Sequence, residues 1–367
     1  MTAFAAKLAA SASPSFAAPQ RQRVFIGSFT PDGILAYDWD PVSADLAPVG
    51  PLAVKLANVD WITFSPDRDF LYAASEVNMF NGKATGAVAS FRVNNGQLHL
   101  LSAENSAGMG TCHAALDHSG RVLLSADYSG GSAASFLIAE GRLSRAVWTE
   151  HYTAMGPNID RQESAHAHFA SISPDNRFAY ISDLGGDSIH IYSLNAATGV
   201  LTPAGTYRAT PGAGPRTLHF HPNGHITYSL NELDSTVDVL EWSNVHGLLT
   251  LVKRIELLPE GYHGPTRACD TLISRDGKSV YFANRDYDFL YSFRADPKTG
   301  GLTPIGRSNC GGKTPRNFVL DPTERWMLVA NQDSNLVCIF ARNTETGVLA
   351  EECKSFGAAA PMCILFA

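Results

Sequence analysis

One pattern of hydrophobic and polar positions recurs along the chain. In each copy an apolar run leads into a short turn, such as Ser-Pro-Asp, His-Pro-Asn-Gly or Asp-Pro-Thr, and a second apolar run follows. Two apolar runs joined by such turn residues predict a β-hairpin. The pattern occurs six times, at residues 61–76, 114–129, 170–185, 218–233, 271–286 and 318–333.

The hairpins recur at a regular interval. The turn proline or its equivalent stands at positions 66, 118, 174, 222, 275 and 322, so the mean step is about 51 residues, close to the length typical of a propeller blade. A second turn, in most copies Asn or Asp followed by Gly-x-Leu, alternates with the hairpins. It occurs seven times, at residues 40–46, 94–98, 140–143, 195–201, 244–249, 296–302 and 343–349.

Seven outer turns and six complete inner hairpins leave one blade divided between the chain ends. We expect residues 362–366 to form its innermost strand and residues 24–28 its second strand. Pairing the two termini in one blade closes the ring and removes an exposed sheet edge. The sequence therefore predicts an all-β fold with few helices: a seven-bladed β-propeller that forms one domain over residues 24–367.

The first 23 residues differ from the rest. They are rich in Ala, Ser and Pro, and Lys7 with several polar residues interrupts any apolar run. A secretory signal needs a basic start and a continuous apolar stretch. We therefore expect residues 1–23 to be a disordered leader, with a weak export or targeting segment as the alternative.

Composition narrows the class of protein. Hydrophobic residues make up 45% of the chain, enough for a buried core, and the net charge of −7 argues against a nucleic-acid or anionic-membrane binder. No apolar run reaches the length of a membrane-spanning helix. The six cysteines form no C-x-x-C pair, which is typical of reduced thiols in a cytoplasmic protein. Because a closed propeller needs no partner for stability, we expect a monomer or a weak homo-oligomer.

Residues at equivalent places in each repeat should form rings around the central funnel of a propeller. We take the turn proline or its equivalent as the marker of each repeat. Six residues before each marker the chain has Asp60, Cys112, His168, Arg216, Cys269 and Arg316. Ten residues after each marker it has Glu76, Tyr128, Leu184, Glu232, Arg285 and Gln332.

Three arginines directed into one funnel predict a site for a small anionic molecule. Desolvated like charges repel unless an anion relieves them, and Arg216, Arg285 and Arg316 offer planar forks to phosphate or carboxylate. The structural alternative is that these arginines pair with Glu76, Glu232 and nearby aspartates as struts between blades.

His168 is the candidate general base. Cationic neighbours should lower its pKa and keep the imidazole neutral. Glu232 could orient His168, stabilise its protonated form, or act as the base itself. His113 and His166 are expected at the same rim as further substrate-binding residues, together with Arg316, Glu76, Tyr128 and Gln332. No nucleotide-binding, metalloprotease or serine-hydrolase motif is present, so we predict no metal and no organic cofactor.

Several motifs carry a resemblance to a known family. The segments are Ser-Ala-His-Ala-His at 164–168, Gly-Pro-Arg at 214–216, Asn-Glu-Leu-Asp-Ser-Thr-Val at 231–237, Thr-Pro-Arg at 314–316 and Val-Ala-Asn-Gln-Asp-Ser-Asn at 329–335. They resemble the lactonase family of seven-bladed propellers, which includes the cycloisomerase-type 6-phosphogluconolactonases and the 3-carboxy-cis,cis-muconate lactonizing enzymes. The resemblance covers residues 24–367.

The resemblance implies metal-independent hydrolysis of a sugar-acid lactone of the 6-phosphogluconolactone type. The positions that both branches share match His168, Arg216, Glu232 and Arg285, while residues 110–113 and 314–316 resemble the bacterial branch. Thr217 departs from the His that commonly follows Gly-Pro-Arg. The implied mechanism is attack of water on the lactone carbonyl, with His168 as base and arginines at the oxyanion and at the substrate's phosphate or carboxylate.

Three alternatives stay open at this point. The site could form a lactone from a muconate-type dicarboxylate, because ring opening and ring closing share a charge distribution. It could instead hydrolyse an unphosphorylated sugar lactone. A non-catalytic propeller that serves as a binding platform would place function on the outer rims and would leave the funnel residues without a purpose.

Overall fold

The protein is described by a computed structural model that covers residues 21–367 except 51, 53, 54 and 263. Most of the predicted leader lies outside these residues, and its last two positions, Gln22 and Arg23, belong to the first strand. The described residues form 28 β-strands and no helix, so none of them forms a helix that could span a bilayer. The strands make seven four-stranded antiparallel sheets.

The strands follow one another blade by blade. The chain begins with β1 (Gln22–Ser28), β2 (Ile34–Asp40) and β3 (Asp45–Pro48). Blade 1 contains β4 (Val59–Phe64), β5 (Phe70–Ser75), β6 (Ala87–Asn94) and β7 (Gln97–Asn105), and blade 2 contains β8 (Thr111–Leu116), β9 (Val122–Asp127), β10 (Ser132–Ala139) and β11 (Arg142–His151). Blade 3 contains β12 (Ala167–Ile172), β13 (Phe178–Asp183), β14 (Ser188–Leu194) and β15 (Leu201–Arg208).

The second half repeats this order. Blade 4 contains β16 (Pro215–Phe220), β17 (Ile226–Asn231), β18 (Thr236–Trp242) and β19 (Leu249–Glu256). Blade 5 contains β20 (Ala268–Ile273), β21 (Ser279–Asn284), β22 (Phe289–Ala295) and β23 (Leu302–Asn309). Blade 6 contains β24 (Pro315–Leu320), β25 (Trp326–Asn331), β26 (Leu336–Arg342) and β27 (Leu349–Gly357), and the chain ends with β28 (Pro361–Phe366).

The two chain ends complete blade 7, which confirms the predicted closure. Its strand order is β28-β1-β2-β3, with Val24 opposite Phe366 and Ile26 opposite Ile364. The innermost strand therefore comes from the C-terminus and the three outer strands from the N-terminus. Because this pairing joins the first and last strands, no innermost strand in the described ring is left without its sheet partner.

Each of the six inner hairpin turns has one residue with a left-handed backbone. This residue is Gly or Asn in four blades (Gly120, Asn176, Gly224 and Gly277) and Arg68 or Glu324 in the other two. In blade 3, Asn176 has a φ of 61°, a conformation that Asn adopts more readily than other non-Gly residues. The hydroxyl of Ser173 accepts the backbone N–H of Phe178 at 2.9 Å, which joins the two ends of the same turn. The turn thus reverses the chain between β12 and β13 with its polar groups satisfied.

A repeated hydrogen bond connects neighbouring blades. A fully buried tyrosine on the second strand of one blade donates its hydroxyl to a glycine carbonyl in the outer turn of the next blade. The pairs are Tyr180 to Gly247 at 2.8 Å, Tyr228 to Gly300 at 2.8 Å and Tyr281 to Gly347 at 2.6 Å. The Gly-x-Leu turns found in the sequence therefore have a second role, because their carbonyls satisfy polar groups that would otherwise be buried and unpaired.

The core lies between the faces of adjacent blades. Tyr228 and Val239 of blade 4, for example, belong to the same buried cluster as Phe282 and Phe293 of blade 5. Burying one side chain of this size contributes about 1.5–3 kcal/mol. The stacked blades surround a central channel, and the innermost strands line its cavity.

Candidate active site

A β-bulge recurs at the second residue of the innermost strands. In blade 3 the pairing register passes from Ala167 directly to Phe169, and in blade 4 it passes from Pro215 to Thr217. A bulged residue leaves the ladder, and the bulge redirects its side chain. The bulged side chains line one cavity at the centre of the ring: Asp60, Cys112, His168, Arg216, Cys269, Arg316 and Met362. Met362 of the C-terminal strand completes the ring that the sequence predicted from six members.

Glu232 is the centre of the charged cluster. It directly follows β17, where the second strand of blade 4 returns to the bulged end of the channel, and its side chain is 1% exposed. Its Oε2 accepts Nη1 of Arg216 at 2.7 Å, and its Oε1 lies 2.8 Å from Nη2 of Arg285. A third guanidinium, that of Arg161, donates Nη2 to the same Oε1 at 2.6 Å.

These arginines determine the ionisation of the cluster. Burial alone would raise the pKa of Glu232, but Arg285, Arg216 and Arg161 hold that pKa well below its usual range. Burial lowers the pKa of Arg285 to about 10, which leaves it charged at neutral pH. Glu232 is therefore a permanent carboxylate of low basicity, unsuited to act as the general base. In the structure Glu232 binds three guanidinium groups and holds them in position.

His168 and Glu232 are connected only through the guanidinium group of Arg216. Nη1 of Arg216 contacts both Nε2 of His168 and Oε2 of Glu232, so the guanidinium lies between the two. Of the roles considered for Glu232, orientation of His168 could therefore act only through Arg216. Burial, reinforced by the charge of Arg216, lowers the pKa of His168 well below its usual range. The imidazole is therefore neutral, with Nε2 as its acceptor.

Arg316 belongs to a second charged group. Its Nη2 donates to Oδ1 of Asp60 at 3.1 Å, so the three predicted arginines do not share one carboxylate. Glu76 lies near this pair, and burial together with Asp60 raises the pKa of Glu76 to about 7. Glu76 is therefore partly neutral near physiological pH. The strut interpretation is thus correct for the Arg316–Asp60 and Arg285–Glu232 pairs, which join different blades, although three arginines share the one carboxylate of Glu232.

The predicted rim residues occupy two levels. His166 stacks on Tyr128 with ring centroids 4.4 Å apart, and its Nδ1 lies 2.9 Å from the Tyr128 carbonyl oxygen. His113 instead lies one residue beyond the bulged Cys112 on β8. Its ring stacks on Phe169 with centroids 3.7 Å apart, and the Trp61 ring lies 4.4 Å away at an angle of 47°. The prediction that His113 and His166 share one rim is therefore wrong. Because β8 runs away from the bulged end, His113 lies deeper in the channel.

Among the residues that the structure describes, Gln332 and Cys112 make no ion pair at the site. Gln332 follows β25 and is partly exposed, and its backbone N–H donates to the carbonyl of Thr314 at 3.0 Å. No side-chain hydrogen bond of Gln332 is found among the described residues. Cys112 is a buried thiol that donates to the carbonyl of His168 at 3.3 Å, and burial raises its pKa well above the usual range. Such a thiol is a packing residue and not a nucleophile.

Sequence reasoning missed Arg161. It lies between β11 and β12, in the connection formed by residues 152–166, and it occupies neither repeat position. Its Nη2 donates to the hydroxyl of Tyr128 at 3.1 Å as well as to Glu232. The one available signal was the length of this connection between blades 2 and 3, because long loops in compact domains commonly carry function.

Comparison with known proteins agrees with the observed fold. Residues 23–366 match the family model described as "Lactonase, 7-bladed beta-propeller". The 6-phosphogluconolactonase of Bacillus subtilis is 29% identical over 93% of this chain and 97% of its own length, and that of Formosa agariphila is 31% identical over 89% and 94%. The solved structure of the periplasmic gluconolactonase of Pseudomonas aeruginosa has a TM-score of 0.88 at 29% identity, covering 95% of this chain and 99% of that one.

The fold and the site together define a propeller enzyme with a charged central channel. The chain belongs to the seven-bladed β-propeller lactonase family, as the sequence motifs indicated. It is a lactonase, that is, a hydrolase of cyclic esters.

Proposed function

We propose that this lactonase opens a phosphorylated sugar-acid lactone of the 6-phosphogluconolactone type. The observation that carries the proposal is that three guanidinium groups, those of Arg161, Arg216 and Arg285, share the single carboxylate of Glu232 beside His168. Two of the relatives described above are named 6-phosphogluconolactonase, which supports the same substrate.

The charges at the site favour an anionic substrate. Three guanidinium groups, from Arg161, Arg216 and Arg285, share the one carboxylate of Glu232, whereas Arg316 has its own partner in Asp60. An uncompensated positive charge in a buried site is costly unless an anion binds there. A phosphate monoester, with a charge of about −1.5 to −2 at neutral pH, would balance the site.

Two unpaired donors support the same conclusion. In the described part of the chain, Nε of Arg285 and Nε2 of His113 are buried without a hydrogen-bond partner. Burying an unsatisfied polar group costs about 1–3 kcal/mol, which substrate oxygens would recover on binding. The Arg285 nitrogen belongs to the charged cluster, and the His113 nitrogen belongs to the wall of the channel below it.

The mechanism begins with a competition for Arg216. When the lactone carbonyl oxygen accepts N–H groups of Arg216 and Arg285, the contact between Arg216 and Nε2 of His168 is released. Nε2 then removes a proton from a water molecule as the water oxygen bonds to the carbonyl carbon. The two guanidinium groups stabilise the oxyanion that forms.

The second half of the reaction returns the proton. As the carbonyl re-forms, the bond between the carbonyl carbon and the ring oxygen breaks. The leaving alkoxide takes the proton held by the His168 imidazolium, and the new carboxylic acid loses its own proton to solvent. Glu232 keeps the arginines charged and in place throughout, so it acts as a positioning residue.

A second candidate is hydrolysis of an unphosphorylated sugar lactone. It is favoured by the structural similarity to a protein named as a gluconolactonase. This reaction would use the same His168 and Arg216 but would leave the positive excess without a substrate charge to balance. Lactone formation from a dicarboxylate would run the reaction in the opposite direction. The arginines would then bind a carboxylate of the open-chain substrate.

The deciding experiment is a rate comparison on fresh 6-phosphoglucono-δ-lactone and glucono-δ-lactone, each corrected for spontaneous opening. We expect kcat/KM to be at least about tenfold higher for the phosphorylated ring. Equal rates would favour the unphosphorylated lactone, and activity on neither would exclude both. A muconate-type dicarboxylate, followed by loss of its ultraviolet absorbance, tests the cyclisation alternative in the same buffer.

The assembly and compartment follow as a further part of the proposal. The closed ring and the six free cysteines, five of them buried, fit a cytoplasmic protein that is a monomer or a weak homo-oligomer. Light scattering on the purified full chain would test the oligomeric state, and a stable oligomer at micromolar concentration would overturn that part.

A further inference from the structure

Arg161 differs from the other arginines of the site in its exposure. Its side chain is 31% exposed, against 7% for Arg216 and 8% for Arg285. Arg216 is also bound from a second direction, because its Nε donates to the carbonyl of Cys269 at 2.5 Å. Arg161 is therefore the member of the cluster whose guanidinium can reach solvent and return.

The contacts of Arg161 leave most of its guanidinium available. Nη2 makes both of its hydrogen bonds, to Tyr128 and to Glu232, and no hydrogen bond from Nε or Nη1 is found within the described residues. Arg216 and Arg285 remain on Glu232 when Arg161 leaves. Glu232 would therefore stay compensated, and the cost of releasing Arg161 is small compared with the loss of a sole partner.

The backbone that carries Arg161 is fixed by its neighbour. Gln162 is fully buried and donates Nε2 to the Leu184 carbonyl at 2.9 Å and to Oδ1 of Asp187 at 2.8 Å. Its Oε1 accepts the backbone N–H of Asn158 at 3.1 Å. The loop therefore presents Arg161 from a rigid base, so that only the side chain needs to move. Pre-organisation of this kind reduces the entropic cost of binding.

We propose that Arg161 is a specificity-determining residue that exchanges Glu232 for the phosphate of the substrate. The guanidinium leaves Oε1 of Glu232 and forms charge-assisted hydrogen bonds with the phosphate oxygens at the mouth of the channel. The deeper Arg216 and Arg285 stay at the lactone carbonyl. This assignment rests on the proposed function, and it explains how one arginine cluster serves two ends of one substrate.

The test compares Arg161→Gln and Arg161→Lys with the control Arg267→Gln. Arg267 lies at the same end of the channel but is bound by both carboxylate oxygens of Asp286 and is 44% exposed. For Arg161→Gln we expect KM for 6-phosphoglucono-δ-lactone to rise about tenfold or more, with kcat within about threefold. On glucono-δ-lactone kcat/KM should stay within about threefold, and Arg161→Lys should recover part of the loss because it keeps the charge.

Two outcomes would overturn the assignment. An equal loss on both lactones would mean that Arg161 acts through the position of Glu232, and no loss on either would remove it from the site. A parallel titration with inorganic phosphate separates this question from the proposed function, because it needs no turnover. Phosphate should raise the Tm of the wild type and of Arg267→Gln more than that of Arg161→Gln. Equal shifts in all three would contradict the proposal even if the wild type hydrolyses neither lactone.

Discussion

Glu232 and Arg216 form a buried ion pair, with Oε2 and Nη1 2.7 Å apart, and this pair organises the site. The same Nη1 contacts His168, so the base and the carboxylate are linked by one guanidinium. Both residues of the pair are nearly inaccessible to solvent, with side chains 1% and 7% exposed. Their positions are therefore set before any substrate arrives, which is the condition for electrostatic catalysis.

Replacing His168 should abolish most of the activity without unfolding the protein. For His168→Gln we expect kcat to fall by about 10²–10⁴-fold, the range typical of a lost general base. Because the pKa of His168 is well below its usual range, the acid limb of the wild-type kcat/KM profile should also lie below pH 6.5, the ordinary histidine value. The exposed His225→Gln is the control. A loss under about threefold would exclude His168 as the base.

Glu232→Gln should lower the free energy of unfolding although it hardly changes the shape of the side chain. Gln is nearly isosteric, but it leaves Arg216 and Arg285 buried without a countercharge, which costs about 3–5 kcal/mol in comparable cases. Urea unfolding at pH 7 measures the loss in the free energy of unfolding. Added phosphate should restore part of it by supplying the missing charge. A change under about 1 kcal/mol would show that the pair is not the organising contact.

The titration of Glu76 makes the free energy of unfolding depend on pH in a direction that can be predicted. Its pKa rises from 4.5 in the unfolded chain to about 7 in the folded protein. The folded state then binds more protons, so the stabilising contribution is complete below pH 4.5 and is lost as the pH rises through 7.

The variant Glu76→Gln separates the contribution of Glu76 from that of other titrating groups. The buried histidines, for example, have lowered pKa values and make the protein more stable as the pH rises. Relative to the wild type, the free energy of unfolding of the variant should increase by about 1–3 kcal/mol between pH 4.5 and pH 8. The exposed Glu345→Gln should show no such relative change. A pH-independent difference between Glu76→Gln and the wild type would contradict the assignment.

Closure of the ring depends on close packing at Gly27. A Cβ added there would stand 2.6 Å from Sγ of Cys363 and 2.9 Å from the backbone oxygen of Val59. The side chain of Cys363 has little room to move, and the Val59 backbone belongs to blade 1. We expect Gly27→Ala to lower stability by about 1–3 kcal/mol, the usual cost of overpacking.

The control for this prediction is Gly306→Ala, where a Cβ would meet nothing within 4 Å. Thermal unfolding of both variants measures the difference. If Gly27→Ala is as stable as Gly306→Ala, the junction between the terminal blade and blade 1 is looser than the structure indicates.

The repeat in the sequence determined much of the architecture and part of the site. Equivalent positions in a propeller face the same channel, so counting from the turn marker was enough to group His168 with Arg216 and Glu232 with Arg285. Counting the repeats also located the divided blade, because the outer turn at residues 40–46 has no complete inner hairpin before it. These results depend on local patterns that every blade repeats.

Tertiary structure alone decided how the charges are paired. Arg316 joins Asp60 while Arg216 and Arg285 share Glu232. No spacing distinguishes these choices, because Arg216 pairs within its own blade whereas Arg285 and Arg316 pair with residues of other blades. Arg161 reaches the cluster from an irregular loop, which has no register to count. The sequence by itself thus determined the fold, the ring positions and the chemical types that occupy them. Folding decided the pairing, the burial and the pKa values, since these depend on distances between residues far apart in the chain.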